Sequence, residues 1–401
     1  MTDAETQTTP VYIHACGSHS ALGVRSEDIH RNLQSDKSDG IEAERFTLND
    51  GKEVIVGRVL EDLPEIPAQF QHQQTRNNRL ALSALLQIQD TVKNAIDKYG
   101  EDRVAVIVGS STSGISNGEI ALSGQLQTGE LPENYHYYQQ ELSNLSDFIS
   151  DYFGLSGPSY VVSTACSSSG KVFLSAKRLL QSGMADAVIV GGADTLCRLT
   201  LNGFHGLESV SSGLCRPFGE GRDGINIGEA AAFMLLSLER PEEAEPIALL
   251  GAGDSSDAHH ISAPEPEGRG AEEAMIKALA DAGLSPDNIG YVNAHGTATP
   301  LNDAMESKAI SRVLGNNVPV SSTKPLTGHT LGAASAIEAA ICWHILRNDL
   351  SLPIPGAQAG RDPEIAPIRL VTANDRLEKH AILSNSFAFG GNNVSLIFGK
   401  L

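Results

Sequence analysis

The run Arg103-Val-Ala-Val-Ile-Val108, closed by Gly109, restricts this chain more than any other stretch. Its five consecutive apolar residues show no polar alternation, so as a strand the segment has no face to offer water and needs cover on both sides. Ala187-Val-Ile-Val190, closed by Gly191-Gly192, repeats the pattern, and Ser159-Tyr-Val-Val-Ser163 is a third run of strand length. Helical patterns stand between them, over Thr75 to Val92 and over Lys171 to Gln181, the latter with Phe173, Ala176 and Leu180 on one face. Buried strands alternating with helices imply an α/β layered fold.

The alternation resumes after Arg240-Pro-Glu-Glu-Ala-Glu-Pro246, a charged, proline-flanked stretch taken as a boundary between segments 1–245 and 246–401. Beyond it, Glu272 to Ala282 reads as a helix stopped by Gly283, and Ala333 to Leu346 as a long apolar helix. Ile289–Asn293, Val318–Ser322, Ile368–Thr372, His380–Ser384 and Val394–Phe398 read as strands. Residues 1–10 are polar and expected to be frayed. The pattern is compatible with two similar halves, although no residue-level repeat is visible.

Charge narrows the function. Twenty-nine Lys+Arg against 49 Asp+Glu give a formal −20, which opposes nucleic-acid or anionic-membrane binding. No apolar run is long enough for a membrane helix, and the first residues lack the basic and apolar stretches of a signal peptide. The five cysteines are Cys16, Cys166, Cys197, Cys215 and Cys342, widely spread and without a CxxC pair. A disulfide framework or metal site is therefore not expected, and reduced thiols in the cytoplasm are.

Three motif matches fail on context. Gly219-Glu-Gly-Arg-Asp-Gly224 fits the dinucleotide fingerprint but lacks the preceding strand and following helix, so a turn is expected. Gly114-Ile-Ser116-Asn-Gly118 fits a serine-hydrolase elbow, but a polar loop separates it from Val108. Adjacent His259 and His260 cannot share one helical face, and loop histidines are expected.

The segment Ser159-Tyr-Val-Val-Ser-Thr-Ala-Cys166-Ser-Ser-Ser-Gly-Lys171 is a strand entering a helix, with a cysteine at the junction. Free N–H groups and the helix dipole there favour a thiolate and a lowered thiol pKa. A buried structural cysteine explains the segment equally well. Cys16, Cys197, Cys215 and Cys342 lack such a setting. His295 follows a strand in Tyr291-Val-Asn-Ala-His-Gly296, and His329 lies after Gly328 in Lys324-Pro-Leu-Thr-Gly-His-Thr330. Strand exits of α/β sheets are where active residues collect.

These three segments resemble the β-ketoacyl-acyl-carrier-protein synthases of the thiolase superfamily. Val11-Tyr-Ile-His-Ala-Cys-Gly17, Cys215-Arg-Pro-Phe-Gly-Glu-Gly-Arg-Asp-Gly224 and Asn385-Ser-Phe-Ala-Phe-Gly-Gly-Asn-Asn393 extend the resemblance over nearly the whole chain. It implies a thiolase-like α-β-α-β-α layered fold with two similar halves. Cys166 is then the acyl-accepting nucleophile, with neutral His295 and His329 as donors to the enolate from malonyl carrier protein. The backbone N–H groups of Cys166 and Phe389 would form the oxyanion hole. Lys324 and Glu338 would be an ion pair orienting His329. Thr297 and Thr299 would contact the pantetheine arm, Phe389 would gate the pocket, and Thr112 would line its distal end. No cofactor is implied beyond the phosphopantetheine carried by acyl carrier protein.

The departures concern substrate. Phe387-Ala388-Phe389-Gly-Gly-Asn392 stands where the family reads F-G-F-G-G-T, and Ser167 to Ser169 follow the nucleophile. These changes suggest a dedicated pathway such as the aryl polyene type. A degradative thiolase would need a second, C-terminal C-x-G cysteine, which is absent. A dimer is expected through Ser159–Ser163, either of two copies or with an inactive chain-length partner. Arg76 and Arg79 match the basic segment that relatives use to dock carriers.

Overall fold

The computed structural model describes residues 9–44, 47–354 and 360–401. Most of the segment expected to fray, residues 1–8, lies outside the described residues. The first half runs β1 (Val11–Ser20), α1 (Arg76–Leu85), β2 (Val104–Gly109), α2 (Ile115–Thr128), α3 (Asn144–Phe153), β3 (Ser159–Val162), α4 (Ser168–Gln181), β4 (Ala187–Asp194), α5 (Arg198–Gly206) and β5 (Ala230–Ser237). The second half runs β6 (Ile247–Ser256), α6 (Arg269–Ala282), β7 (Tyr291–Asn293), α7 (Pro300–Leu314), β8 (Pro319–Ser321), α8 (Ala334–Asn348), β9 (Ala381–Ala388) and β10 (Asn392–Lys400).

Strand order exposes the duplication that the residues hide. The first half orders its strands β3-β2-β4-β5-β1, and the second β8-β7-β9-β10-β6. In both, the middle strand pairs parallel on one side and antiparallel on the other. Even the register repeats. Asp194 at the end of β4 faces Ala230 at the start of β5, as Ala388 at the end of β9 faces Asn392 at the start of β10. The two sets join through a short antiparallel contact of β1 with β6, Val11 opposite Leu249 and Tyr12 opposite Ala248.

Five layers result. Helices α1 and α3 cover the outer face of the first sheet, and α6 with α7 covers that of the second. Between the sheets lie α4 and α8, each touching strands of both halves. Strands β2 and β4, apolar but for Asp194 at the end of β4, are buried at every position because helices flank both faces. Gly170 permits the close meeting of the central helices: a Cβ there would lie 2.5 Å from Val394 Cγ1 and 2.8 Å from Ser335 Oγ.

Several sequence expectations shift. The single helix expected over Thr75 to Val92 is two, Arg76–Leu85 and Gln89–Tyr99, because buried Ile88 leaves helical geometry at φ −112°, ψ 3°. Helix α4 starts three residues before Lys171, at Ser168, since serine hydroxyls stabilise its entry: Ser168 Oγ accepts the Thr164 N–H at 2.9 Å. Gly219–Gly224 is a turn leading to strand β5, not to a nucleotide-binding helix. Ser116 lies inside the first turn of α2, away from any strand end. Strand β3 is the outer edge of its sheet, and Tyr160 on it is 39% exposed.

Candidate active site

A strained turn presents the cysteine. Ala165 holds a left-handed backbone, φ 52°, between β3 and α4, and this aims Cys166 at the start of the buried central helix. The Sγ atom lies 3.0 Å from His329 Nε2. His329 arrives from the second half on a segment pinned to Ile227: its N–H donates to Asn226 O at 2.6 Å and its carbonyl accepts from the Gly228 N–H at 2.9 Å. Gly328 makes that approach feasible, with φ 70° and space for no Cβ beside Gly228 N. The His295 ring is 5.5 Å from the His329 ring, nearly perpendicular to it.

The charge pair serves the other histidine from the one expected. Lys324 Nζ is 2.5 Å from Glu338 Oε1 and 3.5 Å from His295 Nδ1. An ammonium group only donates, so Nδ1 of His295 accepts and the ring proton belongs on Nε2. The pair therefore orients His295, not His329. By contrast, His329 Nδ1 is buried with no hydrogen-bond partner among the described residues, so nothing fixes its tautomer. Burial and then the Lys324 charge hold both imidazoles well below their ordinary 6.5, and both rings are neutral at pH 7.

The thiol behaves differently from the expectation of a lowered pKa. Burial pushes Cys166 up to about 11, against the Lys324 charge and the N–H groups of Phe389 and of Cys166 itself. Those two amides belong to the helix start and to the turn after β9. The resting nucleophile is a thiol that needs a base, and His329 is the base in reach.

Two carboxylates that the sequence reading missed build the His295 turn. Glu306 accepts the N–H of His295 at 2.8 Å and of Gly296 at 2.7 Å, and burial pushes it up to about 7. Asp303 accepts from Ala298 at 3.1 Å and Phe218 at 2.7 Å. Three-residue spacing after Pro300 sets both acids on one side of α7. In sequence that pattern reads only as acids complementing a helix start, so nothing signals their burial.

A pocket leads to Cys166, His295 and His329, lined also by Thr297, Thr299, Phe387 and Phe389. The ring of Phe389 rests 5.6 Å from that of Phe204. Thr112 is not part of it. Its hydroxyl and N–H donate to Asp194 Oδ1 at 2.6 and 2.7 Å, and the residue is fully buried. Arg76 and Arg79 are not a free basic patch either. Arg76 clamps buried Glu229 through two nitrogens, the Nε contact being 3.0 Å. Arg79 donates to the carbonyls of Leu63 and Pro64 and pairs with Glu65. His260 Nδ1 accepts two loop amides at 3.2 Å each, which suits a turn and no metal.

Among the described residues one group has metal-ligand spacing: Cys166, His295 and His329 place their ligand atoms within 4.8 Å of one another. No helix among the described residues is long and apolar enough to cross a membrane.

A duplicated five-layer fold around a Cys-His-His centre defines a condensing acyltransferase. The chain belongs to the β-ketoacyl synthase family: residues 8–241 match its N-terminal domain and 248–357 its C-terminal domain. It is 34% identical over 345 residues to 3-oxoacyl-(acyl-carrier-protein) synthase 2 of Staphylococcus aureus, covering 81% of this chain and 82% of that one. Among solved structures, a chain from the complex of the ketosynthase ApeO with its chain length factor ApeC, from Xenorhabdus doucetiae, is 47% identical. It superposes with a TM-score of 0.94 over 100% of both chains. A β-ketoacyl synthase from Burkholderia phymatum is 28% identical with a TM-score of 0.85, over 98% of this chain and 100% of the other.

Proposed function

We propose that Cys166 takes an acyl group from acyl carrier protein and that a malonyl carrier thioester then extends it by two carbons. The 3.0 Å contact of Cys166 Sγ with His329 Nε2 carries this reading. As the sulfur attacks the carrier thioester, its proton passes to His329 and from there to the departing pantetheine thiolate. The malonyl group then loses carbon dioxide, and Nε2–H donors from His295 and His329 stabilise the enolate oxygen. The carbanion attacks the acyl carbonyl on Cys166, whose oxygen gathers the N–H groups of Cys166 and Phe389. Collapse releases the cysteine sulfur as a thiolate, which takes up a proton from solvent.

The two histidines suit different duties. His295 is pinned as a donor by Lys324, whereas His329 has to accept a proton in one half-reaction and donate in the other, and its free Nδ1 permits both. Lys324 and Glu338 act as positioning residues for His295. Thr297 and Thr299, whose hydroxyls lie 2.9 Å apart, are suited to the pantetheine arm. The reaction needs no cofactor of the chain's own.

We read β3 as the dimer seam, since its open edge invites pairing with another strand. Whole-chain likeness to a chain of a ketosynthase and chain length factor complex favours a heterodimer over two copies. With the residue changes around Phe389, it also favours a dedicated pathway of the aryl polyene type. The cytoplasm suits its free thiols. Co-expression with its own carrier protein, followed by mass spectrometry of the Cys166 peptide, tests the reading. An acyl adduct confined to Cys166 is expected, and its absence under turnover would reject the assignment.

A further inference from the structure

We propose that Lys171 is a positioning residue that fixes the turn carrying Phe389 against the helix carrying Cys166. The inference rests on the catalytic reading above, because it concerns the two amides that this reading gives to the thioester oxygen.

Those amides come from different halves of the chain. The Cys166 N–H belongs to the entry of α4, and the Phe389 N–H to the turn between β9 and β10. Their spacing therefore depends on how the halves meet. The turn brings little rigidity of its own, since Gly390 and Gly391 both hold a positive φ, 81° and 75°. Its outer side is tied to the 257–261 loop. The Gly390 N–H donates to Ile261 O and the Asp257 N–H to Gly391 O, each at 2.8 Å. That loop belongs to the second half as well, so these bonds do not set the distance to Cys166.

Lys171 reaches across. It stands on α4, five residues after Cys166, and its ammonium lies 3.3 Å from Asn392 Oδ1 and 3.4 Å from Asp254 Oδ2. Both distances suit one ammonium shared between two acceptors. Asn392 is the residue on which β10 starts, opposite Ala388 on β9 and Ser256 on β6. The lysine side chain is only 18% exposed, so water competes little for these bonds. Asn392 stands where the family reads threonine, and its carboxamide oxygen is one bond further from the backbone than a hydroxyl would be. On the other strand of the turn, Ser335 Oγ lies 3.5 Å from the Cys166 carbonyl and 2.7 Å from Ser386 Oγ of β9. Ser335 thus holds the strand that enters the turn, and Lys171 the strand that leaves it.

The two half-reactions separate this role from a merely structural one. Acyl transfer uses the Cys166 and Phe389 amides, whereas decarboxylation uses the two imidazoles. The test measures single-turnover acylation of Cys166 from an acyl carrier thioester by intact-protein mass spectrometry. Lys171→Met and Asn392→Leu should each slow acylation about tenfold, less than the loss of a whole oxyanion donor. The double variant should be no slower than either single one, because both break the same contact. In the Cys166→Gln background, Lys171→Met should leave malonyl decarboxylation unchanged, which also shows that the variant folds. Lys177→Met removes another lysine of α4 that crosses the halves, at 2.6 Å from Asp281, and should leave acylation unchanged. Acylation at the wild-type rate in both single variants would overturn the proposal. So would an equal loss of decarboxylation, an equal loss in Lys177→Met, or additive losses in the double variant. A wild-type protein that forms no Cys166 adduct removes the catalytic reading and this inference with it. A wild-type adduct with variants of undiminished rate removes the inference alone.

Discussion

At residue 166 the first half carries a thiol; at the matching place in the second half, residue 332, stands a glycine. The match is geometric. Ala165 and Leu331 share a left-handed φ of 52°, and each lies three residues before its central helix. Beside Cys166 the strand end is Ala388, and space remains for substrate. Beside Gly332 the equivalent strand end is Asp194. Its carboxylate accepts from Ser110, Ser111, Thr112 and Ala333, and a Cβ on Gly332 would lie 2.7 Å from it. One frame thus yields a reaction centre where the neighbour is small. It yields a filled structural knot where the neighbour is an acid with its own set of donors.

The comparison breaks most clearly at the thiol. Cys166→Ala should abolish condensation in a carrier-based assay while barely moving the unfolding midpoint. Cys166→Gln should keep malonyl decarboxylation, because both histidines survive; loss of both activities would tie the sulfur to decarboxylation. His295→Ala and His329→Ala should each lower that decarboxylation by about 10²-fold, the scale of losing one oxyanion donor. On the other side of the comparison, Asp194→Ala strands the buried N–H groups of Ser111, Thr112 and Ala333. It should cost about 3 kcal/mol or more in denaturant unfolding, with the rate of Cys166 alkylation unchanged. Arg76→Ala leaves Glu229 buried and unpaired, so about 3 kcal/mol of stability should go while the KM for carrier-bound substrate holds. The smallest expected effect is a flat line. Both imidazoles have depressed pKa values and stay neutral down to well below 6.5. Decarboxylation by Cys166→Gln should therefore not change between pH 8 and 6.5, and should fall only in stronger acid. A step centred on 6.5 would mean that an imidazole titrates normally.

The apolar strand runs and the Cys-His-His segments were legible because strand burial and glycine turns leave local marks. The doubling was not, since it resides in pairing order and register, which place Asp194 and Ala388 alike without making them similar residues. Local sequence also cannot say which of two histidines a lysine will reach. Lys324 is five residues from His329 and 29 from His295, yet its ammonium goes to the distant one. Arg76 misled for a related reason. A basic residue at a helix start looks available until an acid such as Glu229, far along the chain, claims it.

The two central helices have a mechanical consequence. Ser169 Oγ on the first accepts the Ala336 N–H of the second at 2.9 Å, and Ser335 Oγ on the second reaches back toward the Cys166 carbonyl at 3.5 Å. Lys177 on the first also grips Asp281 across the halves at 2.6 Å. Each half therefore lends its helix to roof the other half's sheet, and neither fragment could hide its inner face alone. A chain cut between Ser237 and Ile247 should yield pieces that are insoluble apart and that regain a working centre only when refolded together.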